Sequence, residues 1–140
     1  MKKFFLSALF AMACAFGSQA NTFTFINLSG CVYTYHVAGA DPATPNTVFA
    51  SQPVTVPPGT TAFNQPSDLP GMASLPATVY YYFVRGWVNA TPTSYSANVG
   101  SYPGFTSPVT VPALPCNSNA GSTVNWNGNT TGGNVVVLIF

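Results

Sequence analysis

Thr78-Val79-Tyr80-Tyr81-Tyr82-Phe83-Val84-Arg85-Gly86-Trp87-Val88-Asn89 reads as one long β-strand. Aromatic and β-branched side chains, which suit a pleated and half-buried surface, fill most of its positions. Strict alternation puts Val79, Tyr81, Phe83, Arg85 and Trp87 on one face and Tyr80, Tyr82, Val84, Gly86 and Val88 on the other. Both faces are apolar or aromatic, which predicts a central strand covered on two sides.

The rest of the chain repeats this pattern in shorter pieces. Thirteen prolines and twelve glycines punctuate it, and no window carries a 3.6-residue apolar period, so helices are not expected. Strands are predicted over 22–28, 31–38, 48–50, 53–56, 60–63, 95–99, 108–111, 122–126 and 134–140. In the second of these, Cys31, Tyr33, Tyr35 and Val37 share one face and His36 points the other way. Turns are expected at Asn27-Leu28-Ser29-Gly30, at Pro57-Pro58-Gly59 and over 127–133; residues 39–46 form a loop, and 64–77 is the longest irregular stretch. About eight or nine short strands in one domain predict an all-β fold. The expectation is a single-domain antiparallel β-sandwich, Ig-like or pilin-like in outline, with a small β-barrel as the alternative. Pro53-Val54-Thr55-Val56-Pro57 recurs as Pro108-Val109-Thr110-Val111-Pro112, with Phe49 and Ser51 before one copy and Phe105 and Ser107 before the other. The echo fits a duplicated hairpin or, as readily, two edge strands independently bounded by proline.

Residues 1–20 have the pattern of a secretory signal. Lys2 and Lys3 form a basic start, residues 4–16 an apolar run broken only by Ser7, and Ser18-Gln19-Ala20 a small-residue cleavage site after Ala20. The run is too short for a membrane-spanning helix, which needs about 20 residues. A lipoprotein reading would lipidate Cys14, but Ala11-Met12-Ala13 lacks the usual aliphatic residue three positions before it. The expectation is therefore one β-sandwich domain over 21–140, secreted to the periplasm, cell surface or medium behind a bacterial-type signal.

Charge is nearly absent. Lys, Arg, Asp and Glu make up 4% of the chain, against about a quarter in an ordinary domain. The sequence has three cations and two anions; without Lys2 and Lys3 that leaves Arg85 against Asp41 and Asp68, one minus two, a net charge of −1. A chain without a basic face is not expected to bind nucleic acid. Cys31 and Cys116 are the cysteines that remain after cleavage, and export predicts a disulfide between them. No zinc-like ligand spacing, clustered carboxylates or phosphate-cradling loop is present, so no metal or other cofactor is expected.

The inventory also argues against an enzyme. General acid–base work needs ionisable groups, and His36 is the single imidazole. No Gly-x-Ser-x-Gly elbow accompanies it. Asp41 and Asp68, the sole candidates for a carboxylate pair, both sit in proline-bounded turns. Arg85 reads as a structural charge, stacked on an aromatic ring or paired with Asp41 or Asp68, or else as a contact for a carboxylate ligand.

Aromatic residues are the richer signal. Tyr80, Tyr82, Trp87, Tyr95 and Trp126, with Arg85, are the candidate ligand or partner contacts: exposed rings among Asn and Thr can stack on a glycan and need little charge. Otherwise the rings fill the core. The chain closes on Val135-Val136-Val137-Leu138-Ile139-Phe140, and an apolar strand at a terminus can complete a neighbour's sheet. Val135, Val137, Ile139 and Phe140 are thus a candidate assembly strand.

Signal segment, single disulfide, Thr-rich strands and apolar terminal strand together are similar in outline to bacterial pilin and adhesin sandwiches. The wide separation of Cys31 and Cys116 departs from the early-to-middle cysteine pairing of chaperone–usher pilins, so the resemblance extends to architecture and not to a family. The function expected is a secreted, non-enzymatic structural or adhesive protein, associating with itself or other extracellular proteins through sheet edges or the terminal strand. The alternatives are a carbohydrate-binding module and a small outer-membrane barrel. Asn27, Asn89 and Asn129 each open an Asn-x-Ser/Thr triplet open to glycosylation in a suitable host.

Overall fold

The computed structural model describes residues 21–44, 47–90, 93–128 and 132–140. The expected signal segment, Cys14 and Asn129 lie outside the described residues. Eleven strands are described: β1 (Phe23–Asn27), β2 (Tyr33–Ala40), β3 (Val48–Ala50), β4 (Val54–Val56), β5 (Gly59–Phe63), β6 (Tyr80–Ala90), β7 (Thr93–Ser96), β8 (Val99–Gly100), β9 (Val109–Leu114), β10 (Ala120–Asn127) and β11 (Val135–Ile139). Two short 3-10 turns, Pro66–Asp68 and Pro115–Asn117, each begin on proline, whose fixed φ suits a first helical position.

The strands form two open sheets. Five are ordered β5-β1-β11-β10-β9; in the other, β3-β2-β6-β7 form the path, with β4 also on β2 and β8 also on β6. Neither sheet closes on itself, which sets aside the small-barrel alternative and, with it, the outer-membrane barrel. The sandwich is not wholly antiparallel. β1 and β11, first and last, lie side by side and parallel, from Phe23 opposite Val135 to Asn27 opposite Ile139.

Alternation builds the core between the sheets. Phe23, Phe25, Val135, Val137, Ile139, Val124 and Trp126 face inward from one sheet, and Tyr33, Tyr35, Val37, Val84 and Val88 from the other. Their rings form a continuous chain: Tyr33 stacks on Tyr35 at 5.9 Å, Tyr35 on Phe25 at 5.4 Å, and Phe25 leads through Phe23 to Tyr81 and Trp126. Gly86 makes room for this. A Cβ there would meet the Thr34 carbonyl oxygen at 2.0 Å and the Tyr35 ring at 2.6 Å.

The strand predicted over 78–89 is central, as expected, lying between β2 and the β7–β8 edge. Its faces are not those of strict alternation. The pairing with β2 slips by one residue between Ala38 opposite Phe83 and Gly39 opposite Tyr81, leaving Tyr82 as an extra residue. This bulge reverses the alternation. Val79 and Tyr81 therefore join Val84 and Val88 in the core, while Tyr82 and Phe83 both turn outward. Tyr82 stacks on Tyr102, and Phe83 stacks on Phe105 at 4.0 Å.

The expected disulfide is present. Cys31 and Cys116, 85 positions apart with Cα atoms separated by 5.0 Å, join the entry to β2 with the turn between β9 and β10, one sheet to the other. Asn27 stiffens the same corner. Its amide donates to the carbonyls of Cys31 and Val56, and its oxygen accepts from the Ser29 backbone and hydroxyl. Asn27 is 1% exposed, so its triplet is closed to a glycosylating enzyme once the chain has folded.

The two proline-bounded echoes become edge strands, one in each sheet: β4 on β2, and β9 on β10. The preceding serines do the same job. Ser51 Oγ accepts the Val37 N–H at 2.9 Å and Ser107 Oγ accepts the Trp126 N–H at 2.8 Å, each replacing a carbonyl where the edge pairing lapses.

Candidate functional site

On the outer face of the β2–β6 sheet, two strands stand side by side with His36 opposite Arg85. Both flanking edges are interrupted at this level. On the β2 side, β3 ends at Ala50 and β4 begins at Val54, with Ser51–Pro53 arching between. On the β6 side, β7 ends at Ser96 and β8 begins at Val99. The gaps leave a cleft of about 580 Å³, with Val48, Phe83 and Trp87 as apolar walls and His36, Arg85 and Asn98 among its polar groups. That volume is within the range of small-molecule sites, about 300–1,000 Å³.

Two of these polar groups, His36 and Asn98, are oriented by backbone groups around them. His36 Nδ1 lies 2.8 Å from the Ser51 carbonyl oxygen. A carbonyl only accepts, so Nδ1 carries the proton and neutral imidazole leaves Nε2 as an acceptor. The His36 ring is tilted 45° to Trp87, with centroids 6.2 Å apart. Asn98 replaces a strand carbonyl: its side-chain oxygen accepts the Gly86 N–H at 3.0 Å, and among the described residues its NH₂ donors are uncommitted. Arg85 is exposed. Both anions of the domain are engaged elsewhere: Asp68 accepts from Asn64 and Gln65, and Asp41 from the Ala43 N–H. Neither pairing of Arg85 with Asp41 or Asp68 forms, and among the described residues the guanidinium has no ion-pair partner.

Of the candidate contacts, the structure brings together Arg85 and Trp87. Tyr82 does not line the cleft and is stacked on Tyr102. Tyr80 packs over Gly132, where a Cβ would lie 2.5 Å from its ring. Tyr95 packs against the core and Trp126 belongs to it, 7% exposed, its indole N–H donating to the Gly128 carbonyl. These two are not surface platforms: Trp126 shares the inward face of β10 with Ser122 and Val124, and Tyr95 stands opposite the buried Val88. His36, Phe83, Val48 and Asn98 complete the cleft and are not among the contacts expected from the sequence. Alternation in β2 placed His36 on the outer face, but its position opposite Arg85 depends on strand register.

The candidate assembly strand is held within its own chain. β11 pairs with β1 on one side and β10 on the other, and Val135, Val137 and Ile139 are buried. Phe140 continues the pairing with Thr123 and is 53% exposed. The outer face of this sheet carries an apolar stripe instead: Ile26, Val136 and Leu138 partly covered, Leu28 and Phe140 exposed, with no charged side chain on it.

Among the described residues no helix is long and apolar enough to cross a membrane, and no group of three His, Cys, Asp or Glu could hold a metal ion. No protein-family model matches the chain, and neither a curated protein nor a solved structure matches it.

Proposed function

We propose that the protein is a secreted, non-enzymatic adhesive β-sandwich that binds a saccharide in the cleft beside Trp87. The observation that carries this reading is the pairing of a partly exposed indole with uncommitted hydrogen-bonding groups of both kinds, Asn98 NH₂ as donor and His36 Nε2 as acceptor, in one cleft. Sugars present the matching chemistry, a face of C–H groups and a rim of hydroxyls that donate and accept. The same contacts favour binding over catalysis: His36 meets a carbonyl rather than a nucleophile, and the Ser51 hydroxyl is spent on Val37 N–H and the Gln52 carbonyl. A glycan array probed with wild type and Trp87→Ala tests the proposal. Binding by wild type that the substitution removes supports it; silence across the array, or binding indifferent to the substitution, overturns it.

A second reading has its own observation. The uncharged apolar stripe on the outer face of the β1–β11 sheet favours a second copy of the chain, since nothing on that face repels its like. Sedimentation of Leu28→Ser/Leu138→Thr against wild type tests it: a wild-type dimer that becomes a monomer supports face-to-face association, and a wild type that stays monomeric at high concentration removes it.

A further inference from the structure

Arg85 is the one cation of residues 21–140. Such a charge would ordinarily be placed beside one of the two carboxylates or on an open face. Here it stands in the cleft, flanked along its strand by Phe83 and Trp87, with both carboxylates held in turns outside the cleft lining by neutral donors. The exposed guanidinium has no carboxylate competing for it among the described residues, so a ligand anion would meet it unpaired. Its planar fork matches a carboxylate bidentately.

We propose that the ligand is an acidic saccharide, its carboxylate seated on Arg85. The inference rests on the saccharide reading above and narrows it. Each remaining group then has a role in positioning. Trp87 takes the C–H face of the sugar ring. Asn98, with its oxygen fixed on Gly86 N–H, offers its NH₂ to a carboxylate or ring oxygen beside the guanidinium. His36, with Nδ1–H fixed on the Ser51 carbonyl, offers Nε2 to a hydroxyl hydrogen. The order of donors, acceptor and aromatic face suits a uronic or sialic acid and leaves the cation unused by a neutral hexose.

The test is titration calorimetry of the purified protein with methyl glucuronoside, methyl sialoside, methyl glucoside and sodium acetate. At least one acidic glycoside is expected to bind tenfold or more tightly than the glucoside, with affinity falling as salt rises. Arg85→Gln is expected to remove that preference and the salt dependence together. Folding is not expected to confuse the result, because the Arg85 side chain is exposed and unpaired; the melting temperature of the variant checks this. Equal affinity for acidic and neutral glycosides, or an Arg85→Gln variant that keeps the preference, overturns the acidic assignment and leaves the saccharide reading standing. Acetate binding as tightly as the glycosides overturns it too, in favour of a plain anion site. No binding of any glycoside by wild type overturns both.

Discussion

The phenol oxygens of Tyr33 and Tyr35 lie inside the core with no hydrogen-bond partner among the described residues, whereas the Tyr81 hydroxyl donates to the Asn21 carbonyl at 3.0 Å. The rings do the packing in all three, so removing the oxygen should have opposite consequences. Tyr35→Phe is expected to leave stability unchanged or raise it by about 1 kcal/mol, and Tyr81→Phe to lower it by about 1 kcal/mol, in urea denaturation. The reverse order would place a partner on Tyr35 that its surroundings do not supply. Titration follows from the same burial. Tyr35 is pushed well above the ordinary tyrosine range by desolvation and then by the neighbouring Tyr33; Tyr81 is pushed up by desolvation and then by the charge of Asp68. A phenol whose folded pKa is raised stabilises the fold fully below its unfolded pKa, about 10, and that contribution is lost as pH climbs past it. The denaturation midpoint is therefore expected to hold from about pH 7 to 9 and to fall above about pH 10. The fall should be shallower in Tyr35→Phe; an equal fall would assign it to other groups.

At the scale of the strand, side-chain alternation was legible in the sequence wherever pairing stays regular. The inward set of β2, with His36 outside, and the buried set of β11 both follow from a period of two. The central strand broke the rule at Tyr82. A bulge is a property of two strands, since the extra residue exists only relative to the partner, and four consecutive aromatic residues give no local sign of which one slips. The site was half legible for the same reason. Arg85 and Trp87 were placed on one face correctly, but His36, Ser51 and Asn98 reach them only through register and two interrupted edges. β11 offers a direct measure of what alternation decides. Ile139 is fully buried and Leu138, its neighbour, faces outward. Ile139→Ala is expected to cost about 2–5 kcal/mol in denaturation, through lost burial and the cavity left behind, and Leu138→Ala less than about 1 kcal/mol. Equal costs would mean that the outer face is covered in solution, which sedimentation of wild type would show independently.

For the whole molecule, the near absence of charge shifts familiar tasks onto other groups. Edges are guarded by proline and bulges instead of lysine: β9 carries Pro112 beside a register shift opposite Gly121, and β4 is bounded by Pro53 and Pro57. No ion pair ties the two sheets together among the described residues. That task falls to the corner where the Cys31–Cys116 disulfide, the buried Asn27 and the Asn117 side chain, which accepts the Gly30 N–H at 3.0 Å, meet. Gly30 lets the turn approach: a Cβ there would lie 2.2 Å from the Cys116 carbonyl oxygen. Closing a loop of this length removes unfolded-chain entropy worth about 4–5 kcal/mol. A domain of this size is stable by only about 5–15 kcal/mol, so the crosslink is a large share of the whole. Cys31→Ser/Cys116→Ser is accordingly expected to lower the unfolding free energy by at least about 3 kcal/mol in guanidinium titrations, while the native far-ultraviolet spectrum persists at low denaturant. A loss under about 1 kcal/mol would show instead that the hydrogen bonds of Asn27 and Asn117 hold the corner unaided, and that folding does not depend on an oxidising compartment.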